Sequence, residues 1–142
     1  MFALYANTIA TAVMVGVIWF VQLVHYPLLA QFGSTQSVSV AEQHQQRTGY
    51  VVGLPMLVEG VSTLWLLARR PDGVAVLLPW ANAVLLAVAL GSTVLVSVPL
   101  HAKMALAHND ETGRRLVLTN WPRTIAWTAR LALCSVMLAQ LS

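Results

Sequence analysis

The sequence predicts an all-α protein, a four-helix transmembrane bundle with short interfacial amphipathic helices. Hydrophobic residues make up 58% of the 142 residues and charged residues only 9%, whereas soluble domains carry roughly 25% charged residues. The charges cluster between apolar stretches, each close to the length of about 20 residues that a helix needs to cross a bilayer. A chain of this length has room for one domain. We therefore expect a single integral membrane domain over residues 1–142.

Four apolar stretches define the predicted spans, at residues 4–24, 49–68, 74–100 and 122–141. Pro27 and Pro99 lie near the ends of the first and third spans, where proline disturbs a helix. A polar stretch with the capping-box pattern Ser39-x-x-Glu42 precedes the second span and predicts a helix that runs directly into it. Asn120 followed by Pro122 predicts the start of the fourth helix.

The charge balance excludes nucleic acid as a partner. The net charge is +3, but the eight Lys and Arg residues are few and lie beside membrane segments. We expect a multi-pass protein of a bacterial inner membrane or another cellular membrane. Its expected partners are the lipid bilayer and a lipophilic small molecule, and a homo-oligomer is left open.

Glu59 lies in the middle of the second predicted span, where an unpaired carboxylate costs several kcal/mol. Arg130 lies about 12 Å into the fourth span, and Glu59 about 15 Å into the second, so the two are near the same depth. The sequence therefore predicts a buried ion pair. The alternative is that Glu59 and Arg130 are catalytic groups that shape and charge a substrate cavity or proton path.

Three histidines at span ends fall at one membrane face in this topology: His25, His44 and His101. Imidazoles that converge at the end of a bundle are plausible ligands for haem, copper or iron, although interfacial histidines also simply contact lipid head groups or water. Gln22 lies one helical turn from His25 and is a further catalytic candidate, and Arg47 lies near His44 as a candidate cofactor-binding residue.

Arg123 belongs to the most distinctive local pattern, Asn120-Trp121-Pro122-Arg123-Thr124-x-x-Trp127-x-x-Arg130. A guanidinium at the mouth of the bundle can hold a carboxylate or a haem propionate. The other interpretation is ordinary contact with lipid head groups. Arg123 is therefore a second candidate for cofactor binding.

Two short patterns resemble known families. Val98-Pro99-Leu100-His101-x-x-Met104, with the later Trp127-x-x-Arg130 spacing, resembles the closing half of the anthrone-oxygenase-like family of small four-span membrane proteins. Trp19-Phe20, Pro27-Leu28, Arg47 and Pro55-Met56 are similar in layout to the small haem-binding membrane protoporphyrinogen oxidases. Both resemblances imply a four-helix membrane scaffold for oxidation, and the second implies a helical histidine that serves haem.

Two functional hypotheses follow. The first is a membrane-embedded, metal- or haem-dependent oxidoreductase that acts on a lipophilic substrate, with haem, copper or iron as the cofactor, or with no cofactor. The second is a non-enzymatic membrane protein, either a small proton-coupled transporter or a partner subunit, in which the Glu59–Arg130 pair is structural.

Overall fold

A computed structural model describes residues 1–29, 34–106 and 110–141. Within these ranges, the side chains of residues 29, 34–42, 44, 45, 104–106, 110, 112 and 113 lie outside the description. All regular secondary structure in the described residues is helical, which confirms the predicted all-α class.

Six α-helices and two π-helical segments follow one another along the chain. The helices are α1 (Phe2–Phe20), α2 (Tyr26–Leu29), α3 (Ser34–Ala68), α4 (Leu77–Ser92), α5 (Val98–Leu106) and α6 (Asp110–Ala139). The first π segment, Val21–His25, joins α1 to α2, and the second, Thr93–Ser97, joins α4 to α5. The bundle therefore has four long rods, α1–α2, α3, α4–α5 and α6.

Both π segments lie just before a proline, and this position explains them. Pro27 follows the first segment by two residues, and Pro99 follows the second by two. A proline has no N–H to donate, and its ring clashes with the carbonyl four residues earlier. For Pro27 and Pro99 that carbonyl belongs to Leu23 and Leu95, which both lie inside a π segment. A widened π turn relieves the conflict at these two prolines, whereas Pro55 and Pro122 lie within α3 and α6 without one.

Within the ranges that the structure describes, three helices are long and apolar enough to cross a membrane, by length and composition. They are Phe2–Leu28, Gln46–Ala68 and Leu77–Lys103. These helices support a multi-pass membrane protein and correspond to the first three predicted spans. Helix α6 is not among them, and Arg123 and Arg130 both lower its hydropathy.

The predicted start of the fourth helix is wrong. Helix α6 begins at Asp110, and Pro122 lies inside it rather than in its first turn. Asn120 does not cap the helix, because its side chain is buried and Nδ2 donates to Oε1 of Gln22 at 2.7 Å. This contact between rods replaces the local capping bond that the sequence pattern suggested.

The four rods form a ring with a polar interior. Helix α1 packs against α3 and α6, α4 packs against α6, and α3 closes the ring through its contacts with α4 and α5. Large apolar side chains such as Phe2, Leu64, Leu77 and Leu95 are exposed. Polar and charged side chains such as Glu59 are instead buried between the rods. An apolar exterior around a polar core is the arrangement that a hydrocarbon environment favours.

Candidate functional site

The centre of the bundle holds the predicted ion pair. Arg130 Nη1 donates to Oε1 of Glu59, and both side chains are fully buried. Among the described residues, α3 and α6 are diagonal in the ring rather than adjacent. The pair therefore spans the middle of the bundle and joins two rods whose backbones do not lie against each other.

Neighbouring side chains form further hydrogen bonds with both charged groups. Thr11 Oγ1 donates to Oε1 of Glu59 at 2.8 Å, and Trp127 Nε1 donates to Oε2 at 3.1 Å. Arg130 Nε donates to Oδ1 of Asn82 at 2.6 Å. The carboxylate thus has three donors, and the guanidinium has a counter-charge. This arrangement is the one in which a buried pair is tolerated.

Asn7 extends the central network to the remaining polar groups of α3. Its Nδ2 donates to Ser62 Oγ at 2.8 Å and to Thr63 Oγ1 at 2.9 Å. Its Oδ1 accepts from Asn82 Nδ2 at 3.3 Å. Asn7 and Asn82 therefore form interhelical hydrogen bonds, and the network contacts all four rods.

A second polar cluster lies nearer the end of the bundle. Tyr26 Oη and His101 Nε2 are 2.8 Å apart, and Arg123 Nη2 donates to Tyr26 Oη at 3.3 Å. Because the phenol oxygen accepts from the guanidinium, its own proton is available to a neutral His101. The three side chains come from three different rods and form one hydrogen-bonded chain. We call this group the Tyr26 cluster.

Hydrogen bonds to two further side chains orient Arg123. Its Nη2 also donates to Oδ1 of Asn120, one turn earlier on the same helix, and its Nη1 donates to Thr93 Oγ1 at 3.4 Å. Asn120 is in turn held by Gln22, whose Nε2 donates to the carbonyl of Val117 at 3.2 Å. Gln22 therefore acts on Arg123 only through Asn120.

A cavity of about 180 Å³ opens beside the Tyr26 cluster. Aliphatic and methionine side chains of α1 and α3 form its apolar wall, together with the ring of Trp127. Its polar lining groups are Tyr26, Thr48, Thr93, Ser97, His101 and Arg123. A mostly apolar cavity with a few convergent polar groups is the usual form of a small-molecule site.

Two of these lining groups have unused hydrogen-bonding capacity. Within the described part of the chain, Arg123 Nε and Ser97 Oγ are buried and have no hydrogen-bond partner. Buried polar groups are nearly always paired, so each exception calls for an explanation. Both belong to side chains that line the cavity.

Trp127 connects the cavity to the central ion pair. Its ring forms part of the cavity wall, while its indole nitrogen donates to Glu59. Glu59 and Arg130 themselves do not line the cavity. Their predicted contact is present, but a molecule in the cavity would reach them only through Trp127.

The predicted metal ligands are only partly placed. The ring centroids of His25 and His101 lie 6.2 Å and 5.5 Å from that of Tyr26, so both flank the same phenol. The side chain of His44 lies outside the described residues. In the part that is described, no three His, Cys, Asp or Glu side chains are grouped so that they could hold a metal ion. The described residues therefore do not form the predicted metal site.

Arg47 is separate from the Tyr26 cluster. It is exposed and lines a groove between α1 and α3, together with His25, Val17 and Val21. Val17 and Val21 also line the cavity, so the groove and the cavity share a wall. Arg47 lies at the outer side of that wall, away from Arg123.

Sequence reasoning missed Tyr26, Thr93, Ser97 and Trp127 as site residues. Thr93, Ser97 and His101 recur every four residues in a span that is otherwise apolar, which places them on one helical face. That polar stripe is the signal that could have identified the cavity wall. Tyr26 had a weaker signal, since it stands one turn after Gln22.

Comparisons with known proteins identify no relative. No family model matches the chain, and neither a curated protein nor a solved structure matches it. The function must therefore be argued from the site itself.

Proposed function

We propose that this chain is a four-span membrane protein that binds a lipophilic small molecule in the cavity beside Tyr26, His101 and Arg123. The observation that carries the proposal is the cavity, which combines an apolar wall with a polar cluster that is not fully hydrogen-bonded. An oxygen-bearing head group would lie against the cluster, and the apolar body against α1 and α3.

The surface of α6 supports its role as the fourth span. From Leu118 onward its exposed residues are all uncharged: Leu118, Trp121, Pro122, Ile125, Thr128, Ala132, Ser135, Val136 and Ala139. Arg123 and Arg130 lower the hydropathy of the helix, but both are buried among the other rods. Hydropathy counts a charged side chain regardless of the direction in which it points. The face of α6 that would meet lipid is therefore suited to a membrane.

The size of the cavity limits what enters it. An engineered protein cavity of about 150 Å³ binds benzene, so a cavity of about 180 Å³ accommodates one aromatic ring with a small substituent. Gly49 and Val98 line the cavity and are exposed, so it reaches the surface of the bundle. A longer apolar tail could leave through that opening into the bilayer.

The Tyr26 cluster supplies acid–base chemistry to a bound oxygen. Tyr26 and His101 both line the cavity and are hydrogen-bonded to each other. A phenol paired with an imidazole can give a proton to a ligand oxygen or take one from it. Tyr26 and His101 are therefore the proposed catalytic pair, and Arg123 is the proposed binding group for negative charge on that oxygen.

Oxidation of the bound molecule extends this proposal and rests on the family resemblances. A haem or a metal ion would supply the redox chemistry, but the described residues do not fit one, because His101 Nε2 is engaged with Tyr26 and no group of three ligands is present among them. We derive no step through such a group. An absorption spectrum and metal analysis of gently purified protein test it. About one metal or haem per chain, lost in His101→Ala, would support oxidation.

The non-enzymatic alternative draws on the central network. Among the described residues, every group that donates a hydrogen bond to the Glu59 carboxylate belongs to the bundle itself. This supports a structural role for the Glu59–Arg130 pair. This role is compatible with a binding cavity at the end of the bundle. It would account for these two residues without assigning them to transport.

A plug in the cavity tests the proposed function. A Cβ added at Gly49 meets no atom within 4 Å, so Gly49→Phe fills the cavity without displacing the backbone. Gly60→Phe is the matched control, because a Cβ there also meets no atom within 4 Å and Gly60 does not line the cavity. We expect 4-butylbenzamide to bind the native protein and the Gly60 variant in nanodiscs, and not the Gly49 variant. Equal binding to all three would refute the site.

A further inference from the structure

Among the described residues, Arg123 is a buried cation with no carboxylate partner. Only 6% of its surface is exposed, and its described hydrogen bonds go to neutral groups, namely Thr93, Tyr26 and Asn120. Leaving a charge without a counter-charge in a low-dielectric environment is strongly unfavourable. Arg130 on the same helix shows the usual solution, since it contacts Glu59. Within the described residues, the cavity wall thus carries an uncompensated positive charge.

Ser97 adds an unused hydroxyl to the same wall. Serines and threonines in helices often donate to a carbonyl one turn earlier, as Thr93 does to Ala89 at 2.7 Å and Ser92 does to Ala89 at 3.0 Å. Ser97 lies in the second π segment, is 2% exposed, and its Oγ has no partner among the described residues. Ser97 Oγ therefore lacks the bond to a backbone carbonyl that normally satisfies such a hydroxyl, and Ser97 lines the cavity instead.

We infer that the ligand of this cavity is a lipophilic anion whose carboxylate, or a similar monoanionic oxygen group, is held by Arg123 and Ser97. The inference rests on the proposed binding function and specifies the class of ligand. A carboxylate supplies the missing counter-charge and accepts hydrogen bonds from a guanidinium and a hydroxyl. A single buried cation favours a monoanion, because a phosphate monoester brings about −1.5 to −2 charges and would leave an excess.

A pair of probes that differ in charge and little in shape tests the inference. We would titrate 4-butylbenzoate and 4-butylbenzamide into the native protein in phosphatidylcholine nanodiscs by calorimetry. The benzoate is expected to bind about tenfold more tightly or better, because hydrogen bonds to charged groups contribute more than neutral ones. In Arg123→Gln this preference should disappear, because the benzoate loses its counter-charge.

Ser97→Ala keeps the test informative if Arg123→Gln does not fold. Ser97 Oγ has no partner in the described structure, so its removal breaks no described contact within the bundle. We expect benzoate binding to weaken about fivefold, the effect of one lost hydrogen bond. Ser92→Ala is the matched control on the same rod, because Ser92 does not line the cavity. It should leave the affinity for benzoate unchanged.

The outcomes separate the two proposals. Equal affinity for benzoate and benzamide, with both excluded by Gly49→Phe, would overturn the anion inference and leave the binding function standing. Failure of Gly49→Phe to exclude either probe would overturn the binding function, and the inference with it. Replacement of phosphatidylcholine by phosphatidylglycerol tests a lipid head group as the source of the anion. A tenfold or greater loss of benzoate affinity there would reassign the site to the lipid and overturn the inference.

Discussion

Arg123 and Arg130 lie seven residues apart on α6 and are both buried, yet only Arg130 contacts a carboxylate among the described residues. Arg130 belongs to a closed network in which Glu59, Asn82 and Thr63 all accept its hydrogen bonds. Arg123 belongs to a cluster beside a cavity. The same residue type therefore has two environments, of which one is suited to stability and the other to binding.

Glu59→Gln tests the structural role of the central pair. The substitution keeps the shape of the side chain but leaves Arg130 without its counter-charge, so we expect a loss of about 3–5 kcal/mol in the free energy of unfolding. Unfolding in mixed micelles with increasing SDS measures it. Adding Arg130→Met should cost less than the sum of the two single changes, because the second change removes the unpaired charge.

Glu111→Gln is the control for this experiment. Glu111 and Arg115 form an ion pair at 2.6 Å whose side chains are 69% and 64% exposed. An exposed pair contributes about 1 kcal/mol or less, so we expect little change in stability. Mild and additive effects of the Glu59 and Arg130 substitutions would show that their contact does not stabilise the bundle.

Tyr26→Phe tests whether the phenol holds the Tyr26 cluster together. The change removes one oxygen that contacts both His101 and Arg123, and we expect it to cost about 1–3 kcal/mol of stability, because buried partners lose a hydrogen bond. Tyr5→Phe is the matched control, since Tyr5 is half exposed on α1. Thermal unfolding in detergent compares them, and equal melting temperatures would show that the cluster contributes nothing.

Deletion of Val94 tests the purpose of the second π segment. Val94 is 64% exposed. Because a π turn contains one residue more than an α turn, deletion of Val94 should give a regular helix in which α4 and α5 still bury the same residues. We expect the variant to insert and fold but to lose binding of 4-butylbenzamide, because Thr93 and Ser97 shift on the cavity wall. Circular dichroism and calorimetry measure the two effects.

Deletion of Val88 provides the contrast. Val88 is exposed in the regular part of α4, where loss of one residue rotates everything after it by about 100°. That variant should fail to fold. Misfolding of both deletions to the same extent would mean that the π segment cannot be removed without loss of packing.

Reporter fusions at the two termini test the fourth span. Four crossings place both termini on one side of the membrane, whereas three crossings by the helices Phe2–Leu28, Gln46–Ala68 and Leu77–Lys103 place them on opposite sides. We expect GFP and alkaline phosphatase reporters to place the two termini on the same side of the membrane. Opposite assignments would show that α6 does not cross.

The sequence predicts how deep a residue lies along its helix, but only in part which neighbouring helix its side chain faces. The fixed rise per residue placed Glu59 and Arg130 at one level, and the structure contains their contact. The diagonal position of α3 and α6 depends on how all four rods pack, which no local pattern encodes. The prediction was therefore right about the pair and silent about its central position.

The limits of local reasoning are clearest at the prolines. Pro27 and Pro99 were expected to disturb their helices near the span ends, and a π segment does precede each, although the helix continues past both prolines. The same continuation carries Tyr26 and His101 into contact. Asn120 shows the converse error, since a good capping residue was used instead to bind Gln22 on another rod. For Asn120, a contact between rods decided the outcome.

In the proposed four-span arrangement, the diagonal ion pair has a consequence for biogenesis. An arginine at the centre of a helix opposes insertion by the translocon by about 2.5–3.5 kcal/mol, and Arg130 lies near the middle of the proposed fourth span. Helix α6 is synthesised after α3, which has by then placed Glu59 in the membrane. Insertion of α6 into the bilayer is therefore coupled to its packing against the earlier rods. Until they pack against it, α6 is expected to stay at the translocon.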